Sequence, residues 1–404
     1  MPQHFRAFSF LRPNHIFLQS ALSSFVCSGA FFCKRRLFMS DESYMQLALT
    51  LAKKGCGKVN PNPLVGAVLV KYGRIIGQGY HEKYGELHAE RNAFSSCKES
   101  AEGATLYVTL EPCCHWGKTP PCTDAIIANK ISRVVIGSSD PNPLVAGKGV
   151  RILRERGIAV TEGVLKEACD SLNEIFFYYI QTGMPYVILK YAMTMDGKIA
   201  TATGLSKWIT GKEARAKVHQ DRNRCAAIMA GVGTVLADDP LLTCRLPSGR
   251  NPLRILCDTH LRTPLSAQVV TTAAEVPTLF ATCCKDKARQ NPFSAAGCEI
   301  LELPEKQGHV DMHALMQELG RRKIDSVLLE GGATLNWSAL ESGIVQKVQA
   351  YIAPKLFGGD LAKSPIDGTG AATPQAAFPL SPPAVTRLGN DILLESKVLP
   401  CLQE

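Results

Sequence analysis

The sequence predicts an α/β protein built as two layered domains in tandem, and three observations carry that expectation. The chain is 404 residues long, more than one hydrophobic core ordinarily serves. Short apolar β-type runs alternate with amphipathic helical segments along both halves. Between the halves lies Thr182-Gly183-Met184-Pro185, where glycine stops a helix and Pro185 cannot continue it. A domain boundary is therefore expected near residue 184. Hydrophobic residues at 46% and charged residues at 20% fit a globular chain and exclude a disordered one.

Residues 1–39 are set apart as an N-terminal extension outside the fold. Residues 1–38 hold five basic residues (Arg6, Arg12, Lys34, Arg35, Arg36) and no acid. That composition suits a transit or signal peptide. The alternative is an overlong start, because in Met39-Ser40-Asp41-Glu42 the serine can cap a helix with two acids in its first turn. Tyr44, Leu47, Ala48, Leu51 and Ala52 then follow helical spacing, and Gly55 and Gly57 end the run. Leu64–Lys71 reads as a strand, turning at Tyr72-Gly73 into Arg74–Gly77. His88–Cys97 reads as helix, Thr105–Leu110 as a buried strand, Cys122–Asn129 as helix, Arg133–Gly137 as strand and Gly149–Arg156 as helix. Lys166–Ile180 reads as one longer helix. In the second half Tyr186–Tyr191, Cys225–Gly231, Leu253–Asp258, Thr278–Thr282 and Ser326–Leu329 are β-type runs, with helices at Ala214–Asn223 and Met312–Arg321.

The net charge of +9 falls to +4 once the extension is set aside. So small an excess is weak evidence for a nucleic-acid partner and equally compatible with a phosphate-bearing small substrate. Fifteen cysteines are spread over the whole chain, which favours reduced thiols plus a metal site over a disulfide framework. No stretch of about 20 residues is uniformly apolar, as a membrane span requires. The nearest approach, Ile16–Cys33, is interrupted by Gln19, Ser20, Ser23 and Ser24.

Three motifs converge on a zinc site. His88-Ala89-Glu90 enters a helix, Glu111-Pro112-Cys113-Cys114 follows a strand, and Pro120-Pro121-Cys122 opens another helix. Zinc accepts imidazole nitrogen and thiolate sulfur, and a catalytic site leaves its fourth position to water. His88, Cys113 and Cys122 supply three ligands, and helix N-termini ease thiol ionisation. Glu90, two residues after the histidine, is placed as the catalytic proton carrier between water and a departing amine. This is the pattern of nucleobase deaminases, H-x-E followed by P-C-x-x-C. The gap between Cys113 and Cys122 is eight residues rather than two. On spacing alone, Cys114 competes as a ligand and His115 could close a purely structural site.

These residues resemble the bifunctional riboflavin-biosynthesis deaminase/reductase family. The resemblance runs through Asn60-Pro61-Asn62-Pro63-Leu64-Val65-Gly66-Ala67-Val68, Gly85-Glu86-Leu87-His88-Ala89-Glu90, Thr109-Leu110-Glu111-Pro112-Cys113-Cys114-His115 and Thr119-Pro120-Pro121-Cys122. In that family the long cysteine gap is the normal form. The second half is similar through Lys190–Lys198, Ser206-Lys207-Trp208-Ile209-Thr210, Gly233–Thr243 and Glu330-Gly331-Gly332-Ala333-Thr334-Leu335, with Thr194-Met195 where the family usually has Ser-Leu. Together the two halves cover roughly nine tenths of the chain.

The resemblance implies a cytidine-deaminase-like zinc domain over residues 40–184 and a dihydrofolate-reductase-like, NADPH-dependent domain over 185–404. It implies a pyrimidine ribose phosphate as substrate, namely 2,5-diamino-6-ribosylamino-pyrimidinone 5′-phosphate. The first domain would remove its C2 amine, and the second would reduce the ribosyl group to ribityl with NADPH. Carried over by position, substrate contacts fall on Ser206, Arg222, Leu242, Arg245 and Glu330. NADPH contacts fall on Ala192, Trp208, Thr234, Asp238, Thr259 and the stretch Gly332, Ala333, Thr334, Leu335, Asn336, Trp337 and Ser338. A cytoplasmic enzyme is expected, without membrane or nucleic-acid partners, and a homo-oligomer is compatible with the sequence.

Read physically, Glu330-Gly331-Gly332 follows a strand and precedes a helix, so its backbone N–H groups can approach a pyrophosphate. Arg222 and Arg245 suit a phosphate monoester because the guanidinium fork grips two oxygens. Asn60 and Asn62, flanked by prolines, form either a plain turn or a rigid loop presenting amides to a base or ribose. Lys190 and Asp196 are candidates for a proton donor in the second half. Two readings outside this family stay open at this point. A nucleic-acid base editor would need a basic groove with aromatics, and a zinc-stapled binding module would tolerate loss of Glu90.

Overall fold

The computed structural model describes residues 39–400 apart from Lys118, so the expectations for residues 1–38 lie outside the described residues. The chain opens with α1 (Asp41–Ala52), capped by Ser40 as its sequence predicts. Asp41 is also bonded by the Arg133 guanidinium at 3.1 and 2.7 Å and by the Tyr107 hydroxyl at 2.8 Å, which ties the helix start to the sheet.

The first half continues as β1 (Gly66–Lys71), β2 (Arg74–Tyr80), α2 (Ala89–Ser95), β3 (Thr105–Leu110), α3 (Cys122–Ala128), β4 (Arg133–Ser138), α4 (Lys148–Glu155), β5 (Ala159–Glu162), α5 (Lys166–Leu172) and α6 (Glu174–Thr182). Its five strands lie in the order β2-β1-β3-β4-β5. β1 pairs antiparallel with β2 and β3, while β3, β4 and β5 run parallel. Successive strand residues point to opposite faces, and both faces are apolar. Leu69, Leu106, Val134 and Ile136 meet Ile126 and Leu153 on one side. Val68, Val70, Tyr107 and Val135 meet Met45 and Leu49 on the other.

One expected element divides. The run Lys166–Ile180 is two helices, α5 and α6, separated at Asn173. The Asn173 side chain is buried and bridges the backbone of Leu64, accepting from its N–H at 2.8 Å and donating to its carbonyl at 3.0 Å. A tertiary partner thus overrides helical propensity. α6 ends at Gly183, whose φ of 69° suits glycine.

The second half comprises β6 (Tyr186–Thr194), α7 (Lys212–Arg224), β7 (Ala227–Gly231), α8 (Val232–Asp238), β8 (Leu253–Cys257), α9 (Gln268–Thr271), β9 (Thr278–Thr282), α10 (Lys287–Ala295), β10 (Glu299–Glu302), β11 (Glu305–Lys306), β12 (His309–Val310), α11 (Met312–Arg321), β13 (Ser326–Leu329), α12 (Ala333–Glu341), β14 (Lys347–Ala353), β15 (Ala384–Leu388) and β16 (Asp391–Lys397). Nine of these strands form one sheet in the order β10-β9-β8-β7-β13-β6-β14-β16-β15. It is parallel from β10 to β14 and antiparallel where β16 meets its neighbours. The sequence reading omits β14 and β16, whose polar residues mask the pattern. Gln349 is buried within β14 and donates to Glu395 on β16 at 3.0 Å.

The two sheets are joined by polar contacts. Glu174, at the start of α6, accepts from Lys347 at 2.5 Å, Arg224 at 3.4 Å and the Tyr186 hydroxyl at 3.2 Å. Ile175 of the same helix packs with Ile188 and Leu328 of the second sheet. The backbone of Gly183 sits against Gly320 so closely that a Cβ there would overlap the Gly183 carbonyl.

Candidate functional sites

His88, Cys113 and Cys122 come together at the C-terminal edge of the first sheet. β3 delivers Glu111 and Cys113, His88 caps α2, and Cys122 is the first residue of α3. Their ligand atoms lie within 4.8 Å of one another, the only such His/Cys/Asp/Glu trio among the described residues. His88 Nδ1 is 3.4 Å from both sulfurs, and its Nε2 faces the Thr119 hydroxyl at 3.4 Å. Cys113 Sγ accepts the backbone N–H of Cys122 at 3.3 Å. Hydrogen bonding from Cys122 holds the Cys113 thiol well below its usual range, and the Cys122 thiol lies correspondingly high. The donor set suits zinc.

Cys114 and His115, the competing ligands on spacing alone, stand outside this trio. Cys114 donates instead to the Leu144 carbonyl at 3.7 Å. Glu90 is 3% exposed, and its Oε2 is buried without a hydrogen-bond partner. Burial, reinforced by negative charge on Cys113, raises its carboxyl pKa. A buried carboxyl with one oxygen left unpartnered beside the trio is the arrangement a proton carrier needs.

The trio opens into a cavity of about 300 Å³. Asn62, His81, His115, Asp140 and Asn142 line it, together with α6 through Phe176. Buried Glu111 pins one wall by accepting the N–H groups of Gly147 at 3.0 Å, Val150 at 3.2 Å and Asp140 at 3.4 Å. Burial raises the Asp140 pKa to about 6. Asp140, Asn142 and His81 escape the sequence reading, although a signal exists. Asp140-Pro141-Asn142-Pro143-Leu144-Val145 repeats Asn60-Pro61-Asn62-Pro63-Leu64-Val65 at five of six positions, and both runs line the cavity. Of the two asparagines expected to face a base or ribose, only Asn62 borders the cavity. Asn60 turns to the second half, because Asp325 offers its amide a buried carboxylate.

In the second half the adjacent parallel strands β8, β7, β13 and β6 bring Thr259, Thr234, Glu330, Gly332 and Ala192 to one end of the sheet. At their centre Glu330 accepts from Arg222 Nε at 2.7 Å and Arg222 Nη2 at 3.0 Å, and from Lys190 at 3.3 Å. Although burial opposes ionisation, these two cations hold the Glu330 carboxyl far below its usual range. Arg222 is thus committed to a carboxylate and does not present an open fork to phosphate. Arg245 is exposed, and its Nε donates to His219 Nε2 at 3.1 Å. Ser206 donates to Asp238 at 2.8 Å, and Leu242 is buried.

Trp208 is 60% exposed with the Arg215 guanidinium 4.6 Å from its ring centroid, a wet platform rather than a core filler. Gly332 lies over Thr234, where a Cβ would meet the hydroxyl at 3.4 Å, while Gly233 faces open space. Two glycine-edged turns therefore face one another, a geometry that fits a dinucleotide pyrophosphate. Within 332–338, Thr334 is exposed, whereas Asn336 donates to the Pro365 carbonyl at 2.8 Å, Trp337 meets Phe378 edge to face and Leu335 packs on the core. The open part of that stretch is its first turn. Asp196, a proton-donor candidate, instead accepts the N–H groups of Phe357 at 3.2 Å and Gly358 at 2.7 Å and so closes a loop. Lys190 remains within the cluster.

Fold and sites together define a zinc deaminase domain of the cytidine-deaminase type joined to a nicotinamide-dependent reductase domain. The cytidine and deoxycytidylate deaminase zinc-binding region matches residues 39–138, and the RibD C-terminal domain matches residues 185–394. The riboflavin biosynthesis protein RibD of Actinobacillus pleuropneumoniae is 56% identical over 361 residues, covering 89% of this chain and 96% of that protein. RibD of Escherichia coli K12 is 43% identical over 80% of this chain and 90% of its own length. Among solved structures, Acinetobacter baumannii RibD superposes with a TM-score of 0.78 at 36% identity, covering 89% of this chain and 99% of that one. A Thermotoga maritima protein described as a diaminohydroxyphosphoribosylaminopyrimidine deaminase/5-amino-6-(5-phosphoribosylamino)uracil reductase gives 0.77 at 40% identity with the same coverage. The chain belongs to the RibD family of bifunctional riboflavin-biosynthesis deaminase/reductases. It is a zinc- and NADPH-dependent enzyme acting on a small molecule. No helix among the described residues is long and apolar enough to cross a membrane.

Proposed function

We propose that this enzyme deaminates 2,5-diamino-6-ribosylamino-4(3H)-pyrimidinone 5′-phosphate at C2 and then reduces its ribosyl group to ribityl with NADPH. The domains divide near residue 184. The enzyme works in the cytoplasm, without nucleic-acid or membrane partners. The observation that carries the first step is the buried, unpartnered Glu90 Oε2 beside the His88, Cys113 and Cys122 donors.

Those three residues would hold zinc, which when bound supplies Lewis-acid activation of water. Glu90 is placed to take a proton from the attacking water at Oε2 and to return it to the departing amine. Its raised pKa favours holding that proton between the two transfers. Asn62, Asp140 and Asn142 offer amide and carboxyl groups to the pyrimidine edge, while Phe176 supplies an apolar wall. In the reductase, the first turn of α12 and Thr234 would cradle the NADPH pyrophosphate. Trp208 would support the cofactor. Arg245, steadied by His219, is the guanidinium placed to receive the substrate phosphate, and the Lys190–Glu330–Arg222 cluster orients the ribose.

The test is an assay of purified, zinc-loaded enzyme with the diamino substrate, with and without NADPH, followed by mass spectrometry. Amine loss without NADPH and gain of two hydrogens with it are expected. Glu90→Gln should lower deamination by about 10²- to 10⁴-fold with zinc and reduction retained. Unchanged substrate from metal-replete enzyme would refute the assignment.

A further inference from the structure

The loop that walls the deamination cavity is fastened to the reductase half. Asn60 Nδ2 lies 3.0 and 2.8 Å from the two oxygens of Asp325 and 3.3 Å from the Arg224 carbonyl. An amide nitrogen carries two hydrogens, so both are committed to residues of the reductase half. Asp325 is 2% exposed, and it also accepts from the Ser326 hydroxyl at 2.7 Å. A buried carboxylate is costly unless its donors are held in place. The pairing therefore constrains Asn60 as firmly as Asp325.

From Asn60 the constraint passes inward. Pro61 and Pro63 fix φ at two of the next three residues, so Asn62 follows Asn60 nearly as a rigid unit. Asn62 Nδ2 is 3.1 Å from His81 Nε2, and His81 Nδ1 is 3.0 Å from the Leu87 carbonyl. With Nδ1 protonated to serve that carbonyl, Nε2 is the acceptor for Asn62. Leu87 immediately precedes His88. A continuous path thus links Asp325 with the cavity wall and the residue before the histidine of the metal trio. Asp325 also stands directly before β13, at whose far end Glu330 organises the reductase cluster.

We infer that Asp325 is a positioning residue for deamination: by holding Asn60 it sets the place of Asn62 and the proline-flanked wall against which the pyrimidine binds. The inference rests on reading that cavity as the deamination site. It makes the reductase half part of the deaminase architecture, so that one short strand anchors a wall of one site and the carboxylate of the other.

The experiment uses the full-length, zinc-loaded enzyme and the diamino substrate. Asp325→Asn keeps the side-chain shape but turns an amide toward the Asn60 amide. Losing a buried hydrogen bond of about 1 kcal/mol corresponds to roughly a fivefold change. The KM of deamination should therefore rise about fivefold or more, with kcat changing less, and with zinc content and reduction of the deaminated phosphate unchanged. Asn60→Ala should produce the same rise, and adding D325N to it should produce no more.

A wild-type KM in D325N, additive effects in the double variant, or equal losses in both activities would overturn the inference. Should D325N fail to fold, Asn60→Ala carries the test, and an unchanged KM there overturns it. Asn62→Ala separates the two readings. A raised KM in N62A beside a wild-type KM in D325N removes the inference alone, whereas an unchanged KM in N62A removes the reading of the cavity as well.

Discussion

At the scale of single residues, each site is organised by one carboxyl group pushed in an opposite direction. Glu90 has only the His88 ring to offset its charge, and burial outweighs it to favour the protonated form. Glu330, somewhat less buried, has Arg222 and Lys190 against it and stays ionised. The first is suited to moving a proton and the second to holding neighbours in place. His219 adds a third case. Burial, followed by the nearby Arg222 and Arg245 charges, lowers its pKa from 6.5 to about 4. The folded ring therefore stays neutral and can accept from Arg245 where an ordinary histidine would already be charged. The unfolded chain binds the proton first as pH falls. The contribution is full above about pH 6.5 and is lost as pH drops through about 4. Thermal melting should show a steeper fall in Tm between those values for the wild type than for His219→Gln. Parallel slopes would mean that the ring titrates normally.

Among the elements, Asn173 shows how a tertiary contact sets a helix boundary. Both ends of its amide are used on the backbone of Leu64, at the entry to β1, and the side chain is 2% exposed. Asn173→Ala would leave the Leu64 N–H and carbonyl unpaired in a buried setting, at about 1–3 kcal/mol. The expected outcome is a lower Tm with m-values unchanged in denaturant melts. A variant as stable as the wild type would show that α5 and α6 are separated by something other than this bridge.

The same residue explains part of what the sequence conceals. Periodicity over 166–180 favours one helix, and nothing local announces that Asn173 has a partner more than a hundred positions away. Strands β14 and β16 are hidden likewise, because their polar Gln349 and Glu395 pair across the sheet, Gln349 donating to Glu395. The trio His88, Cys113 and Cys122 was legible because zinc chemistry restricts residue type and spacing. The reductase contacts are expected only through family resemblance, since glycine turns and single arginines carry little information alone. Arg222, read as a phosphate fork, instead serves Glu330, a pairing that depends on α7 and β13 meeting in space.

For the molecule as a whole, the two chemistries hang on separate sheets that share a polar seam of Glu174, Arg224, Lys347, Asn60 and Asp325. Neither the His88, Cys113 and Cys122 trio nor Glu90 contributes a side chain to the reductase cluster, and the first sheet has its own apolar faces. Without metal, His88 and the thiols still have hydrogen-bond partners in one another, so the trio can remain packed. Removing zinc with a chelator should therefore abolish deamination of the diamino substrate. Reduction of separately supplied deaminated phosphate with NADPH should continue at the wild-type rate, and added zinc should restore the first step alone. Loss of both activities on chelation would mean that the metal maintains the seam as well as the chemistry. The reductase would then depend on the deaminase for its fold and not only for its substrate.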